Sequence, residues 1–296
     1  MNRLVLRPAT AADFAVAIDW AAAEGWNPGL DDLAAFHGAD PKGFFLGWLG
    51  DEPVTSISVV RYGQDFGFLG FYIVQPDHRG RGYGWATWQH GMAYLEGATV
   101  GLDGVVAQQE NYRKSGFQLA GRNVRHGGVP LLAGAGAKAT AKTEIRPVTA
   151  DDMDAVVAYD SAFCAGPREG FTRTWALPPE GTRRHALIAR AGGAISGYGV
   201  IRDCRSGRKI GPLFAEDAGT AEALFAALCN TAPEDAEPGE VFLDTPEDNA
   251  AAVALAQHFD LQPVFETARM YRAQGGAAAP ALPIERTFGI TTFELG

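Results

Sequence analysis

Apolar residues follow one another almost without a break from Phe68 to Val74, and glycines and arginines come directly after them. A short apolar run that ends at turn residues, here Gln75 and Pro76, predicts a buried strand. The segment that starts at Trp85, WATWQHGMAYLEG, predicts a helix. The pattern therefore predicts a strand, a glycine-rich turn and a helix start in direct succession.

The turn between them, Asp77 to Gly84, has the chemistry of an anion site. Glycines let a backbone approach a ligand closely, and the unpaired N–H groups of a helix start attract negative charge. Arg79 and Arg81 add positive charge. We therefore expect a ligand that carries phosphate, with a plain strand-to-helix connection as the alternative.

The spacing of this turn distinguishes between families that bind nucleotides. The Rossmann fingerprint needs Gly-x-Gly-x-x-Gly and the P-loop ends in Gly-Lys-Ser/Thr, and neither fits here. Arg-x-x-Gly-x-Gly, from Arg79 to Gly84, resembles the pyrophosphate-binding motif of the GNAT superfamily of N-acyltransferases, which bind acyl-coenzyme A. The resemblance implies an acetyl-CoA site formed by Tyr72, Ile73, Val74, Arg79, Gly80, Arg81, Gly82, Tyr83 and Gly84.

A second segment, Gln109 to Phe117, resembles the other signature of that superfamily, in which a tyrosine precedes Gly-Phe on the last helix. By this resemblance Tyr112 points its hydroxyl at the coenzyme sulfur and protonates the departing thiolate. The alternative is a half-buried helix tyrosine without a catalytic role.

The remaining apolar patterns of the first half predict the order β-α-α-β-β-β-α-β-α-β. Thr10 is a suitable N-cap for the first helix, and Gly116 is a suitable end for the last one. The predicted fold class is α/β with a mixed sheet and helices on both faces, which is the layout of the GNAT fold.

The start of the chain recurs at a constant offset in its second half. The matching letters are Arg7, Pro8, Thr10 and Asp13 in the first copy and Arg146, Pro147, Thr149 and Asp152 in the second. Such self-similarity indicates a duplication. We expect a tandem GNAT fold, with a catalytic domain at 1–134, an Ala/Gly-rich linker at 131–142 and a second GNAT-like domain at 143–296.

The second copy lacks the chemical signatures of the first. In place of the phosphate turn stand Ala215 to Thr220, with one glycine, no arginine and two carboxylates, and the position that corresponds to Tyr112 is Ala256. The second domain is therefore predicted to be degenerate. Three roles remain open for it: covering the acceptor site of the first copy, forming a dimer interface, or binding a regulator. The alternating segment Thr287 to Leu295 predicts a strand that completes the second sheet.

Acyl transfer to an amine sets the requirements for the rest of the site. The protonated amine must lose a proton to a base, and a backbone N–H near Tyr72 to Val74 can stabilise the charge on the thioester oxygen. No covalent intermediate and no metal are needed. Asp103, at the end of the next strand, is the leading candidate base, although an aspartate at a strand end caps a turn as often; His126 and Glu24 are lesser candidates.

The acceptor site in this superfamily is usually framed by the first two helices and the loop between them, which is Glu24 to Gly29 here. We expect Trp26 to wall a pocket and Asn27 to orient a polar group of the acceptor. The alternative is structural: a buried tryptophan beside an Asn-Pro turn accounts for the same residues equally well.

Composition excludes several classes of partner. The formal net charge of −10 disfavours nucleic acid and anionic membranes, and no apolar run reaches the roughly 20 residues of a membrane span. Three widely spaced cysteines match no metal site and favour the reducing cytoplasm. A homodimer is left open.

Three functions are compatible with these patterns. The first is an acetyl-CoA-dependent N-acetyltransferase that acts on a small amine or an amino acid derivative. The second is an acyl-CoA-binding sensor or interaction module without turnover. The third is a nucleotide-binding protein that uses the same turn, which the missing P-loop lysine disfavours.

Overall fold

The computed structural model describes residues 3–132, 143–231, 239–276 and 279–296. The first half contains, in order, β1 (Val5–Pro8), α1 (Ala11–Ala23), α2 (Asp32–Ala39), β2 (Phe44–Leu49), β3 (Glu52–Tyr62), β4 (Phe66–Val74), α3 (Tyr83–Tyr94), β5 (Thr99–Val105), α4 (Gln109–Lys114) and β6 (Gln118–Gly128). This order confirms the one predicted from the sequence.

The second half repeats the order and adds one short strand. Its elements are β7 (Thr143–Pro147), α5 (Met153–Asp160), α6 (Glu169–Ala176), β8 (Arg184–Ala191), β9 (Ala194–Asp203), β10 (Arg208–Ala215), α7 (Ala218–Cys229), β11 (Val241–Pro246), α8 (Ala250–His258), β12 (Gln262–Arg272) and β13 (Thr287–Gly289). The duplication is therefore structural as well as sequential.

The recurring Thr and Asp of the two copies have the same local role. The Thr10 hydroxyl accepts a hydrogen bond from the backbone N–H of Asp13, and the Asp13 carboxylate accepts one from the N–H of Thr10. Thr149 and Asp152 form the same reciprocal pair at the start of the second copy. Each pair satisfies N–H groups that a helix start leaves without partners, which is why both letters recur at that spacing.

The described strands form one mixed sheet through both halves, in the order β1-β2-β3-β4-β5-β12-β6-β11-β10-β9-β8-β7, with β13 paired to β10. Strand β12 lies between β5 and β6, and β6 lies between β12 and β11. Each half therefore places its last long strand in the sheet of the other. The predicted division between 1–134 and 143–296 and its linker fall almost wholly at 133–142, outside the described residues.

A buried aromatic and ionic cluster joins α2 of the first half to the second half. Phe36 stacks on Trp175 of α6 with ring centroids 5.6 Å apart. The guanidinium of Arg202 lies over the same Trp175 ring, 4.9 Å from its centroid, and donates to a carboxylate oxygen of Asp32 at 3.0 Å. Because these groups are buried on both sides, the halves pack as a common core.

The predicted strand from Thr287 to Leu295 is only partly present. Strand β13 ends at Gly289, and 290–296 continues as a buried tail. Side chains bind its backbone: the Tyr62 hydroxyl donates to the carbonyl of Leu295 at 3.1 Å, and Arg168 donates to that of Gly296 at 2.8 Å. Regular strand pairing ends at Gly289: the tail keeps a backbone hydrogen bond from Ile290 to Asp244 of β11 at 2.9 Å, and these side chains bind its last residues.

Candidate active site

A cleft opens where β4 and β5 separate. The two strands are parallel and paired from Phe66 with Thr99 to Leu69 with Leu102, and beyond Leu69 they diverge. A bulge near Phe71, whose φ is +45°, accompanies the divergence. A cavity of about 400 Å³ lies there, lined from the first half by Glu24, Trp26, Leu69, Gly70, Phe71, Tyr72, Ile73, Val74, Arg79, Leu102, Asp103, Gly104, Val105, Gln108 and Tyr112, and from the second by Phe265, Thr267, Phe293 and Glu294.

The end of β4 forms one wall of this cleft. Tyr72, Ile73 and Val74 all line the cavity. Among the described residues, no strand pairs with this edge of β4 beyond Leu69, so β4 can offer backbone groups to a ligand here. Burial raises the pKa of the Tyr72 hydroxyl to about 12, so that it stays protonated.

The glycine turn brings the start of α3 to the outer end of the cleft. Gly80 and Gly82 have φ values of +75° and +83°, which glycine adopts without strain. Gly82 is the N-cap of α3 and supplies no side-chain hydrogen bond, so the first N–H groups of the helix are uncapped. Helix α3 begins at Tyr83, followed by Gly84, against which the Tyr72 side chain packs.

The two arginines of the turn are exposed and differ in their contacts. Arg79 lines the cavity, donates to the carbonyl of Val74 at 2.9 Å and forms an ion pair with Glu24. Arg81 is exposed to solvent and does not line the cavity. Together with the uncapped start of α3, the turn concentrates positive potential where a phosphate group would lie.

Tyr112 lies on α4 and lines the cavity. Its ring stacks near Trp88, with centroids 5.6 Å apart, and packs on Gly104 of β5 so closely that a Cβ there would lie 2.3 Å from the ring. Gly104 therefore provides the space for this side chain. Burial raises the pKa of the Tyr112 hydroxyl well above its usual value, which keeps the proton on it.

The predicted base Asp103 lines the cavity, but its carboxylate oxygens already accept hydrogen bonds from other side chains. The Arg269 guanidinium of β12 donates to both of its oxygens, at 2.8 and 2.6 Å, and the Asn123 amide donates at 2.8 Å. Burial, which the arginine only partly offsets, raises its pKa. The carboxylate therefore joins β5 to β12, which favours a structural role, and its role as a base stays a prediction.

The two lesser base candidates, His126 and Glu24, also have side-chain partners. His126 accepts or donates a hydrogen bond with the hydroxyl of Thr245 at 3.2 Å and does not line the cavity. Glu24 does line it, in an ion pair with Arg79. Of the proposed bases, then, only Glu24 and Asp103 reach the cavity, and each is held by an arginine.

The two residues expected at the acceptor differ in position. Trp26 lines the cavity, and its contact with an acceptor stays a prediction. Asn27 does not: its amide donates to the carbonyl of Ser206 at 2.8 Å, and its oxygen accepts from the N–H of Ser206 at 3.2 Å. We therefore assign Asn27 to the contact between the halves.

The second half supplies cavity residues that sequence reasoning missed: Phe265, Thr267, Phe293 and Glu294. Of the three roles left open for the second half, covering part of the first site agrees with this geometry. No local motif marks these residues, since their position depends on the exchange of β12 and on the path of the tail. The duplication indicated that a second domain exists, but it did not indicate which of its residues reach the cavity.

The corresponding cleft of the second half is filled by the chain. Strands β10 and β11 pair from Arg208 with Val241 to Ile210 with Leu243. Beyond this point β13 pairs with β10, and the N–H of Ile290 donates to the carbonyl of Asp244 on β11 at 2.9 Å. Strand β13 thus fills the wedge between β10 and β11, whereas the corresponding wedge between β4 and β5 is open.

The start of α7, which corresponds to α3, is also occupied. Its N-cap is Asp217, whose carboxylate accepts from the N–H of Thr220 at 2.9 Å. Glu216 beside it pairs with Arg286. A capped helix start with carboxylates repels a phosphate group, which agrees with the degenerate turn inferred from the sequence.

The described part of the chain contains no group of three or more side chains arranged to hold a metal ion. Across the same residues, none of the helices has both the length and the apolar character that crossing a bilayer demands.

Comparison with known proteins agrees with this architecture. Residues 12–117 match a model described as the acetyltransferase (GNAT) family, and residues 156–286 match one described as an acetyltransferase (GNAT) domain. Holothin acyltransferase from Pseudoalteromonas sp. (strain SANK 73390) is 32% identical over 269 residues, which cover 90% of this chain and 87% of that protein.

Solved structures share the fold along nearly the whole chain. A candidate acetyltransferase from Pyrococcus horikoshii superposes with a TM-score of 0.77 at 20% identity, covering 99% of this chain and 96% of that one. A tandem GNAT protein from the clavulanic acid biosynthesis pathway gives 0.67 at 17% identity, covering 93% and 100%. With a GNAT match in each half and a relative at this identity over most of its length, the chain belongs to the GNAT superfamily and is an acyltransferase with two tandem GNAT domains.

Proposed function

We propose that this protein transfers an acetyl group from acetyl-CoA to the amine of a small molecule, and that the first half carries the reaction. The observation that supports this most directly is the open wedge between β4 and β5, which has an uncapped helix start at one end and Tyr112 along its wall. The second wedge is filled by β13. One acetyl-CoA per chain is the stoichiometry that follows.

Each part of the wedge has a task in this reaction. Arg79, Arg81 and the start of α3 bind the pyrophosphate, because fixed positive charge and free N–H groups suit it. The edge of β4 from Tyr72 to Val74 binds the pantetheine arm and stabilises the oxygen of the tetrahedral intermediate. Tyr112, protonated at neutral pH, donates to the sulfur as it leaves.

The acceptor end is small and walled by aromatic rings. Trp26, Phe265 and Phe293 line it, all within a cavity of about 400 Å³ that the acyl chain must share. This favours a compact acceptor with an apolar or flat body and a short acyl donor. A relative that is 32% identical is a holothin acyltransferase, which supports acyl transfer as the reaction.

A thiol-release assay tests the proposal. Purified protein is mixed with acetyl-CoA and a panel of amines, including compact aromatic amines and amino acid derivatives, and free coenzyme A is measured together with the acylated product. We expect amine-dependent release for at least one compact amine. Tight coenzyme binding with no release for any amine would instead support the acyl-CoA sensor.

The remaining features are compatible with action in the cytoplasm on a free metabolite. Cys164, Cys204 and Cys229 are unpaired thiols. The net charge of −10 does not favour nucleic acid or anionic membranes as partners.

A further inference from the structure

The C-terminal tail carries a carboxylate into the first active site. After β13 the tail passes over β4, where a Cβ on Gly70 would lie only 2.2 Å from the carbonyl oxygen of Glu294. Phe293 and Glu294 both line the cavity. Gly70 directly follows Leu69, the last β4 residue paired with β5, so Glu294 lies at the narrow inner end of the wedge.

Glu294 differs from the other buried acids of the described chain. Asp32, Asp152, Asp160 and Asp244 each pair with an arginine. Glu294 is 3% exposed, and its Oε1 is buried without a hydrogen-bond partner among the described residues. An unpartnered buried carboxylate is costly, so its presence at a cavity favours a ligand that supplies the missing donor.

A second unpartnered polar atom belongs to a residue that lines the same cavity. The hydroxyl oxygen of Thr267, on β12, is buried and also lacks a partner among the described residues. Thr267 lines the cavity together with Glu294. A hydroxyl and a carboxylate both accept hydrogen bonds, and a primary amine has several N–H groups to donate.

The inner end is also where the reacting carbon must lie. The pyrophosphate site at the start of α3 follows Val74, at the outer end of β4. A coenzyme bound there extends its arm along β4 toward Gly70 and the bulge at Phe71. The acceptor must meet the thioester at that end, where Trp26, Phe265 and Phe293 form the walls.

The aromatic walls are held in place by a paired arginine. The guanidinium of Arg125 lies 4.7 Å from the ring centroid of Phe293 and 5.8 Å from that of Phe265. Asp244 binds this arginine at 2.7 and 2.8 Å, so its charge is already compensated. The rings therefore form a fixed apolar frame beside Glu294.

We propose that Glu294 binds the amine of the acceptor and takes its proton during acyl transfer, with the Thr267 hydroxyl as a second contact. This inference rests on the proposed function of the same site. The amine nitrogen bonds to the thioester carbon, the carbon–sulfur bond breaks, the proton of the nitrogen moves to the Glu294 carboxylate, and the thiolate takes the proton offered by Tyr112. The products are an amide and coenzyme A, and the two side chains recover their protonation states by exchange with solvent.

The charges around Glu294 suit a base. Burial raises its pKa, while Lys209 on β10, Arg125 on β6 and Arg202 on β9 lower it, and Asp32 on α2 raises it. Burial has the largest effect, so the carboxylate accepts a proton more readily than an exposed glutamate does.

The decisive variant is Glu294→Gln, which keeps the size of the side chain and removes its ability to take a proton. The matched control is Glu285→Gln, an exposed glutamate nearer the start of the same C-terminal segment. We expect Glu294→Gln to lower kcat/KM for the amine by at least about 100-fold, as is usual for loss of a general base. Its acetyl-CoA affinity and melting temperature should remain close to those of the wild type, and the acidic limb of the pH–rate profile should disappear.

Three further results would each overturn the proposal: wild-type turnover in Glu294→Gln, an equal loss in Glu285→Gln, or a loss of acetyl-CoA binding in Glu294→Gln that matches its loss of turnover. If Glu294→Gln does not fold, Glu294→Asp replaces it. That variant keeps the charge on a shorter side chain and should retain activity intermediate between the wild type and inactive protein, and wild-type activity there would overturn the proposal.

A second measurement separates this inference from the proposed function. The amine is titrated into wild type and Glu294→Gln in the presence of coenzyme A, where no acyl transfer occurs. Amine binding that depends on Glu294, without turnover in the acyl-transfer assay, would reject the enzyme and support the amine site. Equal amine affinity in both proteins, with turnover in the wild type, would support the enzyme and reject the amine site.

Discussion

Gly82 and Asp217 occupy the same position in the two halves, as the N-caps of α3 and α7. Gly82 leaves the start of its helix without a side-chain hydrogen bond, whereas the carboxylate of Asp217 accepts from the N–H of Thr220. An aspartate at this position satisfies the helix and adds negative charge, and a glycine leaves the N–H groups to a ligand. In our proposal, this one difference separates an anion site from a capped helix start.

Replacing Gly82 by aspartate should therefore make the start of α3 resemble the capped start of α7. The new carboxylate competes with the pyrophosphate for the helix start, and we expect acetyl-CoA to bind at least ~2 kcal/mol more weakly, which is about thirtyfold in Kd. Calorimetric titration measures this. Gly82→Asn is the matched control, since it has the same shape, adopts a positive φ equally well and carries no charge. Equal affinities for the two variants would show that charge at this position does not matter.

Acetyl-CoA should bind once per chain. The second wedge is filled by β13 and the start of α7 is capped by Asp217. A titration should give a stoichiometry near one, and the Gly82→Asp protein should show no second site of normal affinity. A stoichiometry near two would contradict the assignment of β13 as the occupant of that wedge.

Removing the hydroxyl of Tyr112 should slow turnover and spare binding. Phenylalanine preserves the packing against Trp88 and Gly104 but cannot donate to the thiolate. We expect kcat to fall by roughly 100-fold with a similar acetyl-CoA affinity. Tyr94→Phe removes a hydroxyl that donates to Asp40 outside the cavity and serves as the control. Wild-type rates in Tyr112→Phe would remove the role given to this residue.

Asp103 should prove to be structural. Changing it to asparagine leaves the largely buried Arg269 guanidinium without its counter-ion, and losing one partner of a buried pair costs about 3 kcal/mol of unfolding free energy. Urea denaturation measures this loss. Glu110→Gln removes an exposed pair with Arg113 and should cost less than about 1 kcal/mol. If Asp103→Asn is as stable as the wild type but inactive, Asp103 acts in catalysis after all.

Lys209 should make stability depend on alkaline pH. The ammonium of Lys209 is buried and donates to the carbonyls of Trp26 and Asn27. Burial lowers its pKa from 10.5 to about 8. The folded state therefore binds fewer protons than the unfolded state between about pH 8 and 10.5, so this residue's contribution to stability rises with pH in that window. Below about pH 8 its full penalty is present, ~3 kcal/mol from the size of the shift.

The measurement is the difference in unfolding free energy between the wild type and Lys209→Met from pH 7 to pH 10.5. This difference should change in favour of the wild type as the pH rises. The exposed Lys42→Met is the control and should show no such trend. A difference that is constant over the range would mean that Lys209 titrates at its ordinary pKa.

The sequence was sufficient for the order of helices and strands in the first half, and it indicated the segments that we propose to bind the coenzyme. The strand from Phe68 to Val74, the turn from Arg79 to Gly84 and the helix that carries Tyr112 are contiguous, so their local patterns specify them. The reciprocal Thr–Asp caps likewise depend on spacing alone. The strand predicted from Thr287 to Leu295 shows the limit of such patterns, because alternation cannot reveal that its pairing partners end at Gly289.

Only the tertiary structure shows which residues lie at the proposed acceptor end of the cavity. Glu294, Thr267 and Trp26 are far apart in the chain and meet only because β12 inserts beside β5 and the tail crosses β4. Asp103 appeared free in the sequence and is bound by Arg269 for the same reason. Which strand edges pair depends on the packing of the entire sheet, and no short stretch of letters encodes that choice.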